Sequence, residues 1–149
     1  MSMDPEEVRA LARGGLLEAL SIEIAEISPE RVVVTMPIKP RHLQPFGYLH
    51  GGASLVLAES AASLGGLLHC PPGHAAFGLE INANHLRPKR SGVLTATAVP
   101  LHLGRTTQVW DVKIVDETGR LTCASRCTIA VVPLDHPSAT RPTGPDPAT

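Results

Sequence analysis

Hydrophobic and polar positions change period several times along this chain, and the changes mark its elements. From Asp4 to about Leu20 the spacing predicts a short amphipathic helix, with Asp4 as N-cap, Pro5 at the first position and Gly14-Gly15 weakening its end. Two strands are expected next, Ser21 to Ile27 and Arg31 to Ile38, joined by a turn at Ser28-Pro29-Glu30. In the second, Val32, Val34, Met36 and Ile38 fall on one face. Lys39 to His50 reads as loop. A long helical run follows from Gly51 to about His69, apolar or small nearly all the way round, as in a helix buried on most sides, and Cys70-Pro-Pro-Gly73 ends it. Four more strands are expected. Ala76 to His85 has Phe77, Leu79, Ile81 and Ala83 on one face, and Gly92 to Leu103 comes next. Thr106 to Asp116 alternates through Trp110, Val112 and Ile114, and Asp116-Glu-Thr-Gly119 turns it into Leu121 to Val132.

Short turns between successive strands imply an antiparallel sheet, and a helix this apolar must be wrapped by it. The expected fold is therefore α+β, with one long central helix clasped by a curved antiparallel sheet, in one domain over residues 1–132. Five of the last 17 residues, from Pro133 on, are proline, so residues 133–149 are expected to form a disordered tail.

Composition narrows the function classes. A chain of 149 residues buries about two thirds of its unfolded surface. With 43% apolar but only 3% aromatic residues, its core must be aliphatic. A net charge of −1 provides no field for nucleic acid or an anionic membrane. The N-terminus is acidic where a secretory signal would be basic, and the apolar stretch Ala53 to Leu68 falls short of a membrane span. The three cysteines have no metal-type spacing, and Cys123 and Cys127 lie about 13 Å apart along a strand, too far to bridge. They read as core thiols of a cytoplasmic protein.

Between His42 and Leu79 the single formal charge is Glu59, set among alanines, leucines and serines. Taken alone, such a glutamate reaches solvent through a packing gap or pairs with an arginine. The helix entrance changes that reading. His50-Gly51-Gly52 costs helix stability, about 1 kcal/mol per glycine against alanine, and leaves free N–H groups open to close approach. That is a geometry for holding a carbonyl oxygen that becomes an oxyanion; close helix–sheet packing is the plainer use of the same glycines. One such donor is worth on the order of 3 kcal/mol in acyl transfer. Gln44 and His50 can add side-chain donors or hold a water. Ser63, four residues after Glu59, shares its face and could position water or simply pack. Gly51 and Glu59, however, stand about 12 Å apart on one helix. If both act on one carbonyl, Gly51 comes from one subunit and Glu59 from another, as in a two-fold dimer.

These residues resemble the hot-dog-fold acyl-CoA thioesterases of the 4-hydroxybenzoyl-CoA thioesterase/phenylacetate type. The nearest branches are those that hydrolyse 1,4-dihydroxy-2-naphthoyl-CoA in menaquinone synthesis or proofread the enterobactin pathway. The resemblance is carried by Gln44-Pro-Phe-Gly-Tyr-Leu-His-Gly-Gly-Ala-Ser-Leu-Val-Leu-Ala-Glu-Ser60, Gly78 to His85, Leu101 to Gly104 and Gln108 to Leu121, and spans roughly Leu16 to Val132. It implies Glu59 as nucleophile or general base and Gly51 as backbone donor to the thioester carbonyl. It further implies Gln44 and His50 at that carbonyl or the water, Ser63 as an aid to hydrolysis, and a site shared between protomers of a dimer or dimer of dimers. Attack through an anhydride and direct attack by water both remain open.

The resemblance implies no metal and no cofactor, coenzyme A being part of the substrate. No P-loop or Gly-x-Gly-x-x-Gly cradles its phosphates. The resemblance places nucleotide contacts near His85, Arg87 and the turn carrying Arg105 and Thr106. Lys89 and Arg90 read as ordinary solvated turn charges, and His85 and His102 equally as core histidines. The expected activity is hydrolysis of aromatic acyl-CoA thioesters. The alternatives are a medium-chain acyl-CoA thioesterase, a hot-dog dehydratase, whose base would be placed differently, and a non-catalytic acyl-CoA sensor that would not need Glu59.

Overall fold

The computed structural model describes residues 3–134. Most of the tail expected from residue 133 therefore lies outside the described residues. Among the described residues, three α-helices and six strands follow in the order α1 (Pro5–Leu11), α2 (Gly15–Ala19), β1 (Glu23–Ile27), β2 (Val32–Pro37), α3 (Gly51–Leu68), β3 (His74–His85), β4 (Val93–Leu103), β5 (Thr107–Val115) and β6 (Leu121–Pro133), with one short 3-10 turn, Pro40–His42, in the loop before α3. All strand pairings are antiparallel, in the order β1-β2-β4-β5-β6-β3, so β1 and β3 are the edges.

The expected N-terminal helix is two helices. Asp4 and Glu7 form a capping box with Pro5 in the first turn. Gly14 and Gly15 then take φ of 76° and 62°, left-handed values that an α-helix cannot continue through. The chain turns there and restarts as α2.

Helix α3 lies against the inner face of the sheet and contacts β2 to β6. It is long and apolar enough for a membrane span, but just over half of it is buried in the protein. Its small residues are what let it approach. A β-carbon at Gly65 would overlap the Trp110 indole, and one at Gly66 would lie 3.1 Å from Ala76 Cβ. Trp110, Leu57, Met36, Leu94, Ile114 and Ile129 are fully buried around this contact. The indole Nε1 donates to Gln108 Oε1 at 3.0 Å, and Gln108 Nε2 donates to the Gly66 carbonyl at 3.3 Å, so these two buried side chains are hydrogen-bonded. Cys70, Cys123 and Cys127 are free and buried, as core thiols.

Strand β3 departs from the expected alternation. A bulge between Gly78 and Glu80 shifts its register against β6. Gly78 pairs with buried Ile129, and beyond the bulge Ile81 pairs with buried Cys127. Phe77 and Leu79 are 54% and 64% exposed. The face expected to hold Phe77, Leu79, Ile81 and Ala83 is thus split: the bulge absorbs one residue, and only Ile81 and Ala83 pack on the core.

Candidate active site

The loop before α3 is built by backbone bonds. Gln44 N–H donates to the Tyr48 carbonyl at 2.7 Å, and Gly47 takes φ 80° to close the turn. The Phe46 N–H donates to Gln44 Oε1, which leaves the amide NH2 as the donor end of that side chain. His50 is the N-cap of α3. Its Nδ1 accepts from Gly52 N–H at 2.8 Å, and in the neutral ring the proton therefore sits on Nε2.

Gly51 is closely approached, but within the protomer the approaching group is His85. A β-carbon on Gly51 would lie 2.7 Å from His85 Nε2. His85 ends β3 and is exposed, so it is not a core histidine; His102 is exposed as well. Gln44, Gly51, Ser54, His85 and Arg87 line a cavity of about 440 Å³. Its far wall, the segment after β3, is held firmly. Arg87 Nη1 donates to the Leu121 carbonyl at 2.6 Å, and Leu49 N–H donates to the Lys89 carbonyl at 2.7 Å. The Arg90 guanidinium lies 4.1 Å from the Tyr48 ring centroid, clamping the two loops together.

Lys89 is thus not the solvated turn charge expected, whereas Arg90, stacked on Tyr48, remains exposed. The Lys89 side chain is only 13% exposed and pairs with Glu117 at 2.9 Å and Asp116 at 3.5 Å. The hydrogen bond to Glu117 is the main reason its pKa is raised. Asp116 also accepts from Thr118 Oγ1 at 2.6 Å and Arg120 Nη2 at 3.1 Å. These bonds, the Thr118 hydroxyl foremost, hold its carboxyl well below the usual range.

Glu59 and Ser63 lie elsewhere. They face a second cavity of about 350 Å³ with Val56 and Leu64 of α3. Its other wall comes from Ala12, Leu16 and Leu17 of the N-terminal segment. The half-buried Glu59 side chain rests against the backbone of Gly78, at the β3 bulge; a β-carbon there would overlap Glu59 Oε1. The nearby Cys127 thiol is pushed up to about 12, first by burial and then by Glu59 and Glu80, so it stays protonated beside the carboxylate.

The structure therefore gathers Gln44, Gly51, His85 and Arg87 in one cavity and Glu59 with Ser63 in another. His50 caps the helix beside the first cavity without lining it. Arg105 and Thr106 sit on the exposed β4–β5 turn, at the opposite end of the sheet from His85: Thr107 pairs with Ala130, and Ala130 with Phe77. Among the described residues no group of three or more His, Cys, Asp or Glu is arranged to hold a metal. Two residues escaped the sequence reading. Gly78 carried a signal, a glycine inside a strand, which marks a bulge or a close approach. Ser54, 3% exposed and lining the Gly51 cavity, carried none.

Comparison with known proteins settles the family. A model of the Thioesterase superfamily matches residues 46–123. The chain belongs to that superfamily. A 1,4-dihydroxy-2-naphthoyl-CoA hydrolase from Listeria monocytogenes is 54% identical over 117 residues, covering 78% of this chain and 95% of the relative. The proofreading thioesterase EntH of Cronobacter turicensis is 42% identical over 130 residues, covering 87% of this chain and 95% of the relative. The crystal structure of a thioesterase from Haemophilus influenzae superposes with a TM-score of 0.83 at 43% identity, covering 93% of this chain and 96% of that one. This thioesterase thus has the hot-dog arrangement expected from its sequence, and it is a thioester hydrolase.

Proposed function

We propose that the protein hydrolyses aromatic acyl-CoA thioesters at sites completed by two copies of the chain. The observation that carries this is the division of the candidate residues between two cavities of one protomer. Glu59 and the Gly51 N–H cannot serve one carbonyl within a chain, because they stand about 12 Å apart on α3. Strand β3 supplies the means of joining them. It is a 12-residue edge strand that carries exposed Phe77 and Leu79, the kind of edge that invites pairing. An antiparallel two-fold pairing centred between Ile81 and Asn82 would set Gly78, which carries Glu59 against it, opposite His85 of the partner subunit. Because His85 packs on Gly51, the same pairing brings Gly51 of the partner subunit to the carboxylate. It also carries the partner subunit's Arg105 and Thr106 toward Arg87, collecting cations and donors for the nucleotide phosphates.

In this reading the Gly51 N–H and the Gln44 NH2 hold the thioester oxygen as negative charge develops on it. Glu59 of the other subunit attacks the carbonyl carbon or takes a proton from the attacking water, and Ser63 holds that water. Coenzyme A leaves as the thiol. The aromatic preference draws support from the substrate named for the Listeria relative.

Glu59→Gln keeps the shape and removes the charge. It should lower kcat on benzoyl-CoA and naphthoyl-CoA by at least a thousandfold, read with a thiol reagent, with the melting temperature kept. Co-expression with a Gly51→Val chain should restore activity, since one of the two sites in a mixed dimer then has both native residues. Turnover by Glu59→Gln near the parent rate would reject the carboxylate's role, and mixed dimers without activity would reject the shared site.

A further inference from the structure

The cavity beside Glu59 has a wall that neither the sheet nor the central helix supplies. Ala12 from the end of α1 and Leu16 and Leu17 from α2 face Val56, Leu64 and Leu67 across it. Resting on the reading of Glu59 above, we propose that the Gly14–Gly15 kink and the start of α2 form the specificity wall of the acyl pocket. That wall selects compact, uncharged apolar acyl groups.

Three observations carry the inference. The first is the chemistry of the lining: Glu59 is the one charged residue among the described residues facing this cavity, and the others are aliphatic or serine. A thioester carbonyl held at Glu59 projects two arms. The coenzyme arm is polyanionic and belongs with the cations beside the other cavity, where Arg87 lines the wall. The acyl arm is left with the aliphatic cavity.

The second is the size. At about 350 Å³ the cavity sits at the small end of ligand sites, which run from about 300 to 1,000 Å³. It suits a ring or a short chain better than a long one.

The third is the backbone. Gly14 and Gly15 are both left-handed, which folds the chain back so that Leu16 and Leu17 cover α3. Had α1 run on without the kink, Leu16 would lie about 7 Å further along its axis from Leu11, and the wall would be missing. Leu16 remains 56% exposed at the rim, so a bound acyl group gains apolar contact by covering it.

The test is a comparison of kcat/KM for propionyl-CoA, benzoyl-CoA, 2-naphthoyl-CoA and decanoyl-CoA in the full-length protein. Leu16→Trp fills the pocket and should lower the naphthoyl-to-propionyl ratio at least tenfold. Leu16→Ala opens it and should raise the decanoyl-to-propionyl ratio at least threefold. Ratios within twofold of the parent in both variants, with melting temperatures kept, would overturn the wall. If Leu16→Trp fails to fold, Leu16→Ala decides alone, because it only removes a half-exposed side chain. Glu59→Gln measured on the same four substrates separates the two ideas: its loss of turnover on all of them upholds the carboxylate whatever Leu16 does, and retained turnover rejects the reading beneath the wall.

Discussion

Gly78→Ala is the most discriminating single change, because it separates where the Glu59 carboxylate sits from whether the protein folds. An alanine β-carbon at Gly78 would overlap Glu59 Oε1, and the carboxylate must shift by about an ångström or more to regain ordinary contact. The backbone tolerates alanine, since Gly78 is not among the residues with positive φ. On the stability side, replacing a strand glycine returns about 0.5–1 kcal/mol. Pushing the end of a glutamate off its rotamer costs about 0.5–1.5 kcal/mol. These nearly cancel, so the melting temperature should move by no more than about 2–4 °C. On the activity side, a misplacement of about 1 Å costs on the order of 100-fold, about 2.7 kcal/mol of barrier. The assay is steady-state release of coenzyme A from benzoyl-CoA beside a thermal melt. A 100-fold loss in kcat/KM with an unchanged melt is expected. Activity within threefold of the parent would refute the positioning argument. Activity that falls only together with the melting temperature would refute it too, because the effect would then be one of folding.

Two further outcomes follow from the packing and the charges. Gly65→Ala should lower the melting temperature by roughly 3–10 °C, since a β-carbon there overlaps fully buried Trp110 and overpacking of this kind costs about 1–3 kcal/mol; an unshifted melt would show that α3 can move off β5 freely. Asp116→Asn should destabilise the protein most at neutral pH. Asp116 has its pKa depressed in the folded state, so its contribution is present above the ordinary value of 3.8 and is lost as pH falls below it. The gap between parent and variant melting temperatures should narrow steadily as pH falls from about 5 toward 2, and a gap independent of pH would exclude Asp116 as the group responsible.

Much of this fold was legible because periodicity reports burial directly. Val32, Val34 and Met36 are on one face by alternation and are fully buried, as are Trp110, Val112 and Ile114. Helix α3 was legible from its small and apolar residues, which the contact with Trp110 now explains. Strand β3 was less so. Its bulge is set by pairing with β6 and by the carboxylate resting on Gly78, and neither is written in the local alternation of Phe77, Leu79 and Ile81. The charges beside the Gly51 cavity misled for a similar reason. Lys89 looks like a turn lysine until the β5–β6 turn, 27 residues on, brings Asp116 against it.

By itself the sequence determined that an apolar helix carrying one carboxylate would be wrapped by an antiparallel sheet, because those statements depend on residue type and spacing along one element. It also determined that Gly51 and Glu59 stand too far apart on that helix to meet. Which residues share a cavity, where the β3 register slips, and that an N-terminal kink walls the pocket beside Glu59 were decided by the tertiary structure alone. Each of these arises from contacts between segments distant in the chain, and a linear pattern carries no information about which distant segments touch.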